Sequence, residues 1–254
     1  VDQILAAIRA RPSAEQIPTA EERLALGRLA QDTANVPEGT DPAGVIYCRF
    51  TSARAANMAV RRAETGDAGL IDLVAGGGEG LGPLCAASTE ERTVMPCRQL
   101  RYLGVLGRSR AAGHPAVLAS LGPMSDIDPA ALGSRFVDFG ASAGAWPEAL
   151  TDLSGAGAPA EEVAGARAEL RDLSCQVQEA GARLVGEAFG LPRETRRAMR
   201  AASLGANAAA AQGLGLALSA EAQAVCQAEP GGELCLRERE NSLISLCRQG
   251  GGNG

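Results

Sequence analysis

No lysine occurs in this 254-residue chain, so all 24 of its basic side chains are arginine. A P-loop, Schiff-base chemistry and a Ser-Lys dyad each need a lysine amine and are excluded. Histidine is nearly as scarce, with a single copy, and that excludes a His-rich zinc site and any mechanism using two imidazoles. Aromatic side chains make up only 3% of the residues, and the net charge is −6. A general nucleic-acid binder presents a basic face with interleaved aromatics, so no nucleic-acid partner is expected.

What is present suits a folded chain. Hydrophobic residues reach 46%, and 32 Gly with 13 Pro stay below the level of low-complexity sequence. The uncharged stretch from Ala201 to Ala220 is interrupted by Ser203, Asn207, Gln212 and Ser219. Its transfer energy is too weak for a membrane helix, so no membrane partner is expected. No basic-then-apolar leader follows Asp2. The seven cysteines are odd in number and none forms a Cys-x-x-Cys pair. That pattern favours free thiols in a cytoplasmic chain, with export and a disulfide framework as the alternative. Cys226, Cys235 and Cys247 have no His at ligand spacing, so no metal is expected, and nothing calls for a cofactor.

The texture changes along the chain. Residues 1–40 read as an N-terminal helical cap: Ile4, Leu5 and Ile8 form a short amphipathic helix ended by Pro12, and Thr19 to Glu22 spells a capping box. Val36 to Pro42 breaks that unit. From 43 to about 145, Val45–Tyr47, Leu70–Val74, Leu103–Leu106 and Arg135–Phe139 read as short buried strands between helices. Beyond 158 the pattern is helical. Val163, Ala166, Leu170, Leu173, Val177, Ala180 and Leu184 follow 3,4 spacing, Pro192 suits a first helical turn, and Glu233 to Arg248 forms a last helix. The expected architecture is α/β, a mostly parallel sheet with an N-terminal helical cap (1–40) and a core (41–254) whose C-terminal part is helix-rich.

The sharpest motif is Gly140-Ala-Ser142-Ala-Gly144, a G-x-S-x-G directly after the strand-like Arg135–Phe139. This spelling suits a nucleophilic serine on a strained strand-to-helix turn. Gly76, Gly77 and Gly78 close another apolar run, where backbone N–H groups can converge as an oxyanion hole. The arginines at 193, 196, 197 and 200 are able to bind an anion or an acidic partner, although on a helix such a cluster more often forms a charged face. The run Arg237 to Glu240 reads as solvated helix surface, as do Glu90–Arg92 and Glu161-Glu162.

Taken in order, Ala75-Gly-Gly-Gly78, Arg108 and Arg110 with His114-Pro115, Asp128-Pro129, and Gly140 to Gly144 resemble the hormone-sensitive-lipase-like bacterial carboxylesterases. Gly231 to Glu238 resembles the family's acid-bearing segment. The resemblance implies an α/β-hydrolase fold and hydrolysis of a small-molecule ester with a short acyl group. It implies Ser142 as nucleophile, Glu233 as acid, and the backbone N–H groups of Gly76, Gly77 and Ala143 as oxyanion hole. Ala75, Ala141 and Glu233 depart from the family's residues, and no His follows position 114 to act as base. His114 would be an unusual base, and the core would end short of the family's last segment. Association with further copies of the chain is compatible with this reading. The alternative from another class is a non-catalytic, helix-rich binding or interaction protein, exported, with paired cysteines.

Overall fold

The structure, a computed structural model, describes residues 91–113 and 128–250, with positions 43, 44, 46, 50, 53 and 85. Among the described residues 88% are helical and none is in a strand. The expected mostly parallel α/β-hydrolase sheet is thereby overturned. Leu103–Leu106 lies inside helix α1 (Glu91–Gly113) and Arg135–Phe139 inside helix α2 (Pro129–Gly144). The reason is visible in α1, where residues 102 to 107 are buried in unbroken succession. A helix covered on every side shows no 3.6-residue alternation, and its sequence looks like a buried strand. Ile46, in another expected strand, is helical and fully buried. The expected cap over 1–40 and the run 70–74 lie outside the described residues.

Helix α2 starts where its chemistry dictates. The Asp128 carboxylate accepts from the Ala130 N–H at 3.0 Å, and Pro129 occupies the first turn, where its missing donor costs nothing. After Ala145 the chain re-enters a helix at once in α3 (Trp146–Gly155). Pro147 falls in its first turn, so the proline ends nothing. Helix α4 (Ala160–Glu187) buries Ala166, Leu170, Leu173, Val177 and Leu184, the face its 3,4 spacing predicts. A short 3-10 turn (Ala188–Gly190) leads to α5 (Arg193–Gly213), with Pro192 as N-cap. Helices α6 (Ala220–Ala228) and α7 (Glu233–Gly250) follow, Ser219 capping α6 through the Ala222 N–H.

The chain divides into two compact units, Val1–Ala111 with Ala149–Val163, and Ala112–Glu148 with Ala164–Gly254. In the first, the Arg101 guanidinium clasps the Asp152 carboxylate at 2.7 and 2.9 Å, and Arg98 donates to the Gly155 carbonyl at 2.5 Å. Cys85 is disulfide-bonded to Cys97.

In the second unit, α2 and α5 pack at backbone distance. A Cβ on Gly140 would lie 3.2 Å from the Ala206 Cα, and one on Gly213 would overlap the Ala143 carbonyl and stand 3.0 Å from the Trp146 ring. Trp146 itself is fully buried, edge-on to Phe139 at 5.7 Å. Gly181 of α4 gives way in the same manner to Ser203 and Phe136. Two further disulfides, Cys175–Cys247 and Cys226–Cys235, tie α4 to α7 and α6 to α7. The first spans 72 residues, a loop whose closure entropy is worth about 4 kcal/mol. The expectation of free thiols is therefore corrected for six of the seven cysteines; Cys48 lies outside the described residues.

Two outcomes follow from this packing. Gly213→Ala should destabilise the protein by about 1–3 kcal/mol in urea denaturation, while Gly205→Ala, which meets no neighbouring atom, should be neutral or stabilising by about 0.5–1 kcal/mol. Thiol titration of denatured, unreduced protein should detect no more than the Cys48 thiol, and all seven after reduction. A value near seven without reductant would contradict the three pairings.

Candidate anion-binding site

The residues expected to form an esterase centre are placed differently from that expectation. Ser142 sits in the last turn of α2, 3% exposed, and its hydroxyl donates to the Phe139 carbonyl at 2.9 Å. It is therefore on no strand-to-helix turn; the Gly140 to Gly144 spelling instead supplies small residues to the α2–α5 contact. Ala143, expected to lend an oxyanion-hole N–H, is buried in the same helix, with its carbonyl against Gly213. Glu233 opens α7 on the surface and pairs with Arg237 one turn on, at 2.5 Å. Gly76, Gly77 and His114 lie outside the described residues. Among the described residues no group of His, Cys, Asp and Glu is arranged to hold a metal ion.

A different constellation is built by α5 and α7. Arginines 193, 196, 197 and 200 recur at i, i+3, i+4 and i+7, which places them in one row along a single face of α5. At 1.5 Å per residue that row is about 10 Å long. It lines a groove of about 870 Å³, together with Ala201 and Leu204 of the same helix. The facing wall is Gly231 together with Glu233, Leu236 and Arg237 from the start of α7. Five guanidinium groups thus border one cavity against a single lining carboxylate.

Ion pairing neutralises only part of this charge. Arg200 holds the Glu240 carboxylate in a fork, at 3.0 and 2.6 Å, and the Asn207 side-chain amide donates to the same carboxylate at 2.9 Å. Glu240 is 4% exposed, so this member of the run Arg237 to Glu240 departs from the solvated surface that the composition predicts, while Arg237 remains exposed. The missed signal was its position: Glu240 falls on the stripe of Leu236, Leu243 and Cys247, a helical spacing that faces inward. Arg237 is occupied by Glu233 in an exposed pair of small energetic weight. Among the described residues, Arg193, Arg196 and Arg197 have no carboxylate partner, and the Nε of Arg196 is buried without a hydrogen-bond acceptor.

The backbone adds to the same field. The N-cap of α5, Pro192, makes no side-chain cap, whereas at the start of α7 the Glu229 carboxylate lies against Gly232. The start of α5 therefore adds a partial positive charge beside the groove, offset in part by Glu194 in its first turn. Together these groups can accept an anion in a chain whose overall charge is −6. Compared with known proteins, the chain matches no family model, no curated protein and no solved structure.

Because Ser142 is buried and bonded within its own helix, folded protein should remain unlabelled at Ser142 by a fluorophosphonate, as read by peptide mass spectrometry. Stoichiometric labelling there would restore a nucleophilic role.

Proposed function

We propose that this chain is a helix-rich binding protein of an oxidising compartment, stapled by disulfides, which recognises anionic groups of a ligand or protein partner in the α5–α7 groove. The observation that carries the reading is the row of three arginines without carboxylate partners, in one cavity of an otherwise acidic chain. Such a concentration of like charge is unfavourable by itself and is relieved by a bound anion. An oxidising compartment is supported by Cys85–Cys97, Cys175–Cys247 and Cys226–Cys235, because structural disulfides persist where thiols are not kept reduced. No helix among the described residues is long and apolar enough to cross a membrane.

Ester hydrolysis draws no support from the described residues, since the turn that would activate Ser142 is replaced by helix. A binding role needs no such strained turn. It needs a rigid cationic surface, and the Glu240 network together with the Cys226–Cys235 bond braces the two helices that carry it.

Fluorescence anisotropy with a labelled oligoglutamate peptide tests the reading. Wild-type protein should bind at low salt, weaken as salt is raised, and lose about tenfold or more in affinity in the double variant Arg193→Glu, Arg197→Glu with its helix content unchanged. Equal affinity of the variant would remove the groove from consideration.

A further inference from the structure

We infer that the occupant of the α5–α7 groove is a segment of a protein partner that carries apolar side chains between its carboxylates. The inference rests on the anion-binding reading of the groove and names the kind of partner. The first observation is how the charge is distributed. Arg193, Arg197 and Arg200 are exposed and Arg196 is half-buried, and the four are spread over about 10 Å of α5. Carboxylates accompany them: Glu194 in the first turn of α5, Glu229 against Gly232, Glu233 paired with Arg237, and Glu240 held by Arg200. The surplus of positive charge is therefore modest and drawn out along the helix. Charge of that kind orients a partner and speeds its arrival more than it holds it. A segment with carboxylates spaced along its own length suits such a row, and it needs other contacts to stay.

The second observation is apolar surface in the same place. Ala201, Leu204 and Leu236 line the groove beside the arginines. Two large apolar side chains left in water flank it. Phe189, 80% exposed, stands four residues before Arg193, within about 14 Å along the chain. Leu234, 69% exposed, follows the lining Glu233, and at 100° per residue it lies about 60° round α7 from the lining Arg237. Among the described residues of the second unit, Val137 on α2 is the remaining large apolar side chain with this exposure. Apolar side chains exposed beside arginines mark surfaces that a protein partner covers, since aromatic residues and arginine are enriched in such interfaces.

Both halves point to one partner chemistry. A lone carboxylate ligand engages one or two guanidinium groups and leaves Phe189 and Leu234 in water, whereas a peptide spans the row and covers them. A lipid surface is flat, and these cations line a groove between two helices. In the peptide complex the arginines fix register through its carboxylates, and the apolar side chains between those carboxylates supply most of the affinity.

Fluorescence anisotropy on the oxidised full chain tests the inference with two labelled peptides of equal length and charge, three repeats of Glu-Glu-Leu and three repeats of Glu-Glu-Ser. The leucine peptide should bind about tenfold tighter or more. The double variant Phe189→Ser, Leu234→Ser removes two exposed side chains, so its helix content should be unchanged. It should cut the advantage of the leucine peptide to less than about threefold and leave the serine peptide as it was. Arg193→Glu with Arg197→Glu should weaken both peptides. Equal affinity for the two peptides, or an advantage untouched by the Phe189 and Leu234 changes, would overturn this inference while oligoglutamate binding kept the broader anion-binding reading standing. Displacement of the leucine peptide by an equal concentration of succinate would overturn it in favour of a small anion. Retention on phosphatidylglycerol vesicles that the leucine peptide does not reverse would overturn it in favour of a lipid surface. Failure of oligoglutamate and both peptides to bind would overturn the two readings together.

Discussion

The contact on which the second unit depends is the backbone-distance approach of α2 to α5. With aromatic residues at 3% of the chain, bulky side chains are too few to fill wide spaces between helices. The alternative is to bring the helices so close that little space remains. Gly140 against Ala206 and Gly213 against Ala143 make that possible, and the few large rings, Phe136, Phe139 and Trp146, are spent around the same contact. Buried serines fit this economy of size. Ser142 and Ser174 each donate their hydroxyl to a carbonyl of their own helix.

Close packing of small residues has a cost that the rest of the unit offsets. An alanine removes less apolar area from water than a leucine, so each turn of α5 contributes less hydrophobic stabilisation than its length suggests. The Cys175–Cys247 bond compensates by restricting the unfolded chain over a long loop, and Cys226–Cys235 fixes the short turn that leads into α7. The Glu240 carboxylate then sets the register of α7 on α5, since Arg200 and Asn207 reach it from positions two turns apart. A buried carboxylate held by three donors is favourable only when all of them are in place, which makes it a determinant of geometry more than of net stability. Its consequence for the groove is that the Arg200 guanidinium is fixed on Glu240 while Arg193, Arg196 and Arg197 have no carboxylate partner among the described residues.

Where the sequence was legible, periodicity ran unbroken along one buried face. Helix α4 and its stripe from Ala166 to Leu184 follow from 3,4 spacing, and the helical character of Glu233 to Arg248 from the same argument. The runs at 103–106 and 135–139 misled because short apolar stretches are common to buried helices and buried strands. In α2 the wider window resolves the ambiguity: Leu132, Phe136, Phe139 and Ala143 recur at i, i+4, i+7 and i+11 and are all buried. The cysteine pairings were beyond reach, since Cys175 meets Cys247 across 72 residues and no local spacing encodes that meeting. The arginine row was visible as a cluster, but its lack of partners depends on where Glu240 and Glu233 are drawn, which only the tertiary structure shows.

The pentapeptide from Gly140 to Gly144 shows why a small-residue motif cannot by itself identify chemistry. A nucleophile elbow and a tight helix contact both select glycine, alanine and serine, the first to relieve a strained turn and the second to let two backbones touch. They differ in what they require of the serine hydroxyl. The elbow needs it exposed and activated by a base, whereas the helix contact needs it buried and internally bonded. Ser142 meets the second requirement. An acidic chain that gathers arginines 193, 196 and 197 on one face of α5 retains unfavourable like-charge repulsion in its own fold, the repulsion that the proposed anion binding would relieve.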